Sequence, residues 1–423
     1  MIAPGNAAAR GWRIVLDPLI AEAKRRARRR RVLLGLVLVA AGSGVATWRL
    51  ATSQPPPSRA AEEMRIAAAA GQTHIVESGL TGGVGWAIAD IGLWITTDGG
   101  SRWINATPKH VRAADPVARI NQIQFVDREH GWLSAGDVYG GFRIPRGSAS
   151  VRHMEIDRTS DGGRTWQASV PPGCLMRCGD NHVDFLDAQH GFMLGSGGLF
   201  STADGGATWT HVAPAPFTGQ FAFVDARIGL GVSDPVPLGG GRLYRTVDGG
   251  RSWTRLRIRG KADSITVFGR EGIVPVRIRT AHGQELVVHV TDDAGATWTT
   301  RTAPFRLHLQ WGVPLGYFSA ASPDVWFAAG RRVLYETTDA GLSWRAIRPL
   351  DLPPRGWIWQ AQFTSADDGW AVFWLPEGGR SSAGALVRTT DGGRDWTPLE
   401  PPVPKPPPLP KQKPACGSSC RRP

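Results

Sequence analysis

The chain has 423 residues, a formal net charge of +13, 53 Gly, 32 Pro and 18 Trp. That length supplies ample core, and the Gly and Pro content points to a turn-rich, all-β protein. The charge invites a nucleic-acid reading, but residues 1–31 carry a net of +7 and residues 401–423 a net of +5, leaving about +1 between them. A phosphate-tracking surface needs clustered cations, so the near-neutral body excludes nucleic acid as the expected partner.

Residues 1–31 read as a basic, amphipathic cytoplasmic segment. Trp12, Ile14, Val15, Leu16, Leu19 and Ile20 form an apolar face that leads into the cationic run Lys24–Arg31. Residues 32–50 read as a transmembrane signal anchor, because Val32–Trp48 is uncharged and just long enough to span. The preceding arginines place the N-terminus in the cytoplasm and the rest of the chain outside, in a single-pass membrane protein. Gly44, Val45 and Ala46 make a passable cleavage site, but the basic lead is long for a signal peptide. The expected form is therefore uncleaved. Residues 51–71, with Pro55, Pro56 and Pro57, read as a stiff linker that includes one helical turn.

Residues 72–402 carry an internal repeat. The octet Thr-x-Asp-[Gly/Ala]-Gly-x-x-Trp occurs seven times, from Thr96, Thr159, Thr202, Thr246, Thr291, Thr337 and Thr389. Its aspartates, Asp98, Asp161, Asp204, Asp248, Asp293, Asp339 and Asp391, are separated by 63, 43, 44, 45, 46 and 52 residues. A period near 40–45 residues signals one supersecondary unit per repeat. Asp folds back on the main chain in turns, and the glycines after it accept positive φ. Strand-like runs flank each octet, so each reads as a hairpin turn, with Thr ending one strand and Trp starting the next. The indoles are expected to be buried between neighbouring units.

A second phrase, apolar-x-Phe-x-Asp-x-x-x-Gly-aromatic, precedes several octets. It runs from Ile123 through Phe125 and Asp127 to Gly131 and Trp132, and from Val183 through Phe185 and Asp187 to Gly191 and Phe192. Weaker copies surround Phe223 and Phe363.

The octet resembles the Asp-box, or bacterial neuraminidase, repeat. With the second phrase, the chain is most similar to the photosystem II stability/assembly factor-like propellers. The resemblance implies an all-β, seven-bladed β-propeller, here preceded by a single N-terminal transmembrane helix. It also implies that the Asp-boxes are structural turns between the third and fourth strands of each blade. The implied function is a protein-binding or assembly scaffold for membrane or envelope proteins, not an enzyme and with no cofactor. The first unit looks complete, which leaves open which strand closes the ring.

Antiparallel four-stranded blades put first–second and third–fourth turns on one side and the longer connections on the other. Binding residues concentrate in loops on rigid scaffolds, and Arg and aromatic side chains are the usual anchors. The candidate binding face therefore comprises Tyr139, Phe142, Arg143, Arg306, His308, Trp311, Arg355, Trp357 and Arg380. The plainer reading packs Trp357 and Trp359 between blades six and seven. Inserts are expected within blade two (137–150) and within blade seven (376–385).

Phe142-Arg143-Ile144-Pro145 matches a sialidase motif whose Arg binds a substrate carboxylate. It follows the first box instead of preceding it. Tyr244 and Tyr335 sit at equivalent repeat positions, and no Tyr–Glu catalytic pair can be assigned. A sialidase-like exo-glycosidase and a non-catalytic glycan-binding propeller are thus the rival readings. His130 and His190 recur in register and read as structural. Cys174, Cys178, Cys416 and Cys420 are expected to form disulfides outside the cytoplasm, by proximity 174–178 and 416–420, although four cysteines allow three pairings. No histidine stands at zinc-ligand spacing from them, so no metal is expected. Residues 403–423 read as a disordered Pro/Lys-rich tail.

Overall fold

A threonine, an aspartate and two residues able to take positive φ close each hairpin in the same way. In the computed structural model the third strand of every blade ends on the box threonine: Thr96, Thr159, Thr202, Thr246, Thr291, Thr337 and Thr389. The fourth strand starts one residue after the box tryptophan, so the indole precedes the strand instead of opening it. The structure describes residues 65–66, 75–89, 92–109, 118–137, 155–169, 182–195, 197–233, 241–307, 318–349, 352–353, 356–377 and 381–402.

Among these residues the strands form seven antiparallel sheets of four, each built from four consecutive strands. Blade three is typical, with strands His182–Phe185, Gly191–Gly195, Gly198–Thr202 and Thr210–Ala213. The first strand of blade seven (Trp357–Phe363) touches that of blade one (Ile75–Thr81), as do the first strands of blades two and three, three and four, four and five, and six and seven. The architecture is a closed seven-bladed propeller. Among the described residues no strand is exchanged at closure.

Hydrogen bonds from side chains lace the inner strands together. The Gln122 and Gln124 amides of blade two bond the main chain of Val183 and Phe185 in blade three, with the carboxamide both accepting and donating. Gln360 and Gln362 of blade seven do the same to Ser78 and Leu80 of blade one. Closure therefore uses the device that joins an interior pair of blades.

Seven apolar clusters fill the seven seams, and each receives one box indole against the preceding blade: Trp103, Trp166, Trp209, Trp253, Trp298, Trp344 and Trp396. Some of these indoles also bond across the seam, as Trp166 Nε1 does in donating to Ala106 O at 2.7 Å. The second phrase has an equally concrete origin. Its Phe lies flat on an aromatic ring of the previous blade, with Trp132–Phe185, Phe192–Phe223 and Phe327–Phe363 centroids 3.5–3.6 Å apart. Its Gly makes room for that ring, since a Cβ at Gly131, Gly191 or Gly369 would overlap the phenylalanine of the paired strand.

Three expectations about loops are corrected. Blade seven extends its second and third strands as Gly369–Glu377 and Ser381–Thr389, so most of the expected insert is paired hairpin. Arg306, expected in a connection, belongs to the fourth strand of blade five (Thr299–Leu307). Trp357 and Trp359 lie on the first strand of blade seven. Longer strands satisfy more backbone groups by ladder pairing than loops of equal length would.

The expected linker also contributes to the core. Ile66, helical with Arg65, is fully buried with Phe327, Leu334, Ile347, Leu352 and Ile358 in the seam between blades six and seven. The chain then enters blade one at Ile75, whose carbonyl lies against Gly384 of blade seven. Ile66 and Ile75 thus both pack against blade seven, in the seam with blade six and the seam with blade one respectively. The remaining residues of 1–71, including the expected anchor, lie outside the described residues, as do the tail and all four cysteines. Among the described residues no helix is long and apolar enough to cross a membrane. Ile66→Ala is expected to lower stability by about 2–4 kcal/mol through the cavity it leaves, read as a fall in the urea midpoint.

Candidate functional site

The seven box aspartates do not converge. Each is spent inside its own turn. The threonine hydroxyl donates to Asp Oδ1 at 2.7–2.9 Å and accepts from the main-chain N–H of the fifth box residue at 2.8–3.0 Å. In five boxes the seventh residue is Ser or Thr, and its hydroxyl donates to Asp Oδ2 at 2.5–2.7 Å. These hydroxyl and N–H donors stabilise the charged form. Asp204, Asp248 and Asp339 are drawn down to about 2, first by the hydroxyls of Thr208, Ser252 and Ser343 and then by their N–H groups. A carboxylate so engaged is a poor general base.

The fourth box residue donates its N–H to the first–second turn of the same blade, as Gly205 does to Gln189 O and Gly392 to Asp367 O. Both turn classes therefore share one side of each blade, and the longer connections lie on the other. His130 and His190 occupy those first–second turns identically, each Nδ1 bonding its Asp127 or Asp187 carboxylate. Tyr244 and Tyr335 sit at equivalent places on third strands; Tyr244 is buried and Tyr335 stacks on Phe305 at 3.6 Å. All four are parts of the repeat.

Of the candidate binding residues, Arg306 and Trp357 are described. Tyr139, Phe142, Arg143, His308, Trp311, Arg355 and Arg380 lie outside the described residues. Arg306 is exposed at the end of its strand and pairs with Glu285 at 3.5 Å, a carboxylate that Arg259 also contacts. Trp357 is half-buried opposite Trp374, with centroids 6.3 Å apart. Trp359 stacks on Trp374 at 4.8 Å and packs in the seam between blades seven and one, not six and seven. Arg306 and Trp357 stand on different blades, so they are not parts of one compact cleft.

The sequence reading missed two acids on the innermost strands. Glu77 of blade one is exposed to solvent, yet the protein around it desolvates the carboxylate and raises it to about 7. Asp184 of blade three is raised to about 6 by desolvation, although Phe223 N–H donates to it at 2.5 Å. The only sequence signal was a carboxylate within an otherwise apolar or amide-bearing strand. Among the described residues no group of three or more His, Cys, Asp and Glu could hold a metal.

Comparisons with known proteins now bear on this geometry. Residues 180–304 match the sequence profile of the family described as photosynthesis system II assembly factor YCF48. No curated protein matches the chain. Among solved structures, YCF48 bound to a D1 peptide is 18% identical, with 67% of this chain and 81% of that chain covered and a TM-score of 0.46. YCF48 from Cyanidioschyzon merolae is 14% identical, covering 76% of this chain and 96% of that chain, with a TM-score of 0.46. A prolyl endopeptidase shares 11% identity over 81% of this chain and 52% of that one, with a TM-score of 0.50. The chain is an Asp-box β-propeller similar to YCF48.

Two outcomes follow from the electrostatics and the turns. Glu77 holds its proton in the folded state between its ordinary value of 4.5 and about 7. Stability should therefore fall as pH rises through that window, and Glu77→Gln should flatten the slope and raise the melting temperature at pH 8. The fourth box residue has φ of 58° in Ala294 and 56° in Ala340, where the other boxes have glycine. Ala294→Gly and Ala340→Gly should each stabilise by about 1 kcal/mol, read by thermal unfolding.

Proposed function

We propose that this chain is a protein-binding assembly scaffold held outside the cytoplasm by its N-terminal anchor, and that it performs no chemistry. The match of residues 180–304 to the assembly-factor profile carries the reading. The site geometry supports it, because the repeated polar side chains with catalytic functional groups are engaged in turns and seams. Residues 32–50, uncharged from Val32 to Trp48 and preceded by arginines, support the anchor.

The partner surface we propose is the side bearing the longer connections, with Arg306 and Trp357 as anchors and Arg143 in the blade-two insert. A protein partner suits a rigid disc whose seams are already filled, since broad contact on loops needs no deep pocket.

Cross-linking the full-length chain in its native membrane should capture a discrete membrane or envelope protein. Trp357→Ala and Arg143→Ala should each weaken capture, with hot-spot losses of about 2 kcal/mol, roughly thirtyfold in affinity. Undiminished capture by both variants would defeat the proposed face. Hydrolysis of a fluorogenic sialoside, abolished by Arg143→Ala, would replace the scaffold with the glycosidase.

A further inference from the structure

The side of the disc that carries the Asp-boxes holds a cavity in the seam between blades two and three. Its volume is about 380 Å³, within the range of small-molecule sites, and its lining includes His130, Arg158, Ser160, Gln167, Gln189 and Asp204. The cavity lies between the box of blade two and the box and first–second turn of blade three.

Three blades place an arginine immediately before the box threonine, and each arginine reaches the next blade's box. Arg158 donates to Asp204 O at 3.1 Å, Arg245 to Ala294 O at 2.7 Å and Arg388 to Gly99 O at 3.2 Å. What sets them apart is the residue before the glycine of the first–second turn. In blade seven that residue is Asp368, which accepts from Arg388 at 3.2 Å and neutralises it. In blade four it is Ile228, which is apolar. In blade two it is His130, whose Nδ1 is tied to Asp127 and whose remaining polar ring atom is Nε2.

The bonds that hold Arg158 use neutral acceptors, the Asp204 carbonyl and Gln167 Oε1 at 3.0 Å. Asp127 is engaged in its turn and on His130, and Asp204, the one acid of the lining, is engaged by Thr202 and Thr208. A guanidinium, an imidazole and the Ser160 and Gln189 side chains thus line a cavity whose one acid, Asp204, is occupied by other donors. Those two bonds use two of the five guanidinium N–H groups, and the remaining N–H donors suit a planar two-oxygen anion.

We propose that the seam between blades two and three is a binding site for a carboxylate, held on Arg158 with His130 beside it. The site is independent of the scaffold reading, which concerns the opposite side. The carboxylate's source is either a free small acid or a chain terminus, and the test separates them.

Purified full-length chain in detergent is titrated with succinate, with hexa-alanine bearing a free C-terminus, and with the same peptide amidated. Binding is followed by calorimetry and by the indole N–H resonance of Trp132, which lines the cavity. Saturable binding of succinate or of the free-terminus peptide, but not the amide, is expected. Succinate binding identifies a free acid, and peptide binding alone identifies a terminus. Arg158→Gln should weaken binding at least tenfold and His130→Asn severalfold. Arg245→Gln removes the same cross-seam bond in another seam and controls for lost stability; it should leave binding unchanged. No saturable binding of either probe, no effect of Arg158→Gln, or an equal loss in Arg245→Gln would overturn the proposal.

Discussion

Everything in the propeller depends on the bond between the box threonine hydroxyl and the box aspartate carboxylate. It recurs in all seven blades at 2.7–2.9 Å and fixes where the third strand stops. Because the strand stops there, the fourth and fifth box residues turn with positive φ, and the indole that follows is delivered to the seam. The hydroxyl both donates and accepts, so a single side chain satisfies the carboxylate and an otherwise unpaired N–H. Buried donors left unmade are costly, which gives a turn motif of eight residues authority over the placement of a large aromatic ring.

The seams translate that local order into a closed ring. Flat stacking of one blade's Phe on the previous blade's aromatic sets the spacing of neighbouring sheets, and glutamine side chains extend hydrogen bonding across inner strands. Closure between blades seven and one repeats this chemistry through Gln360 and Gln362. Ile66 adds a tie from upstream of the first blade. Among the described residues, ring closure thus rests on side chains and on the packing of Ile66 and Ile75 against blade seven.

Repetition also determines where function can reside. A residue that recurs in register is held by the fold, as the His130 and His190 pairs with their aspartates show. Chemical individuality arises where the repeat breaks. Asp368 meets Arg388, whereas His130 stands at the same place beside Arg158, and this difference of charge distinguishes two otherwise similar seams. On the other side, Arg306 stands near the end of a fourth strand longer than that of any other blade, and Trp357 opens the first strand of blade seven.

The sequence by itself determined the fold class, the number of blades, the position of every third–fourth turn and the structural role of the box aspartates. These follow from local chemistry, because Thr, Asp and residues with accessible positive φ act within eight residues of one another. It also separated the charged ends from a near-neutral body. Only the tertiary structure decided how the ring closes, that Ile66 belongs to a seam, and that Trp359 packs between blades seven and one. It alone revealed the raised acids Glu77 and Asp184, since desolvation depends on walls contributed by other strands. Contacts between residues 282 positions apart, such as Gln362 with Leu80, leave no local pattern. They exist because seven similar units, once curved into a ring, bring the first against the last.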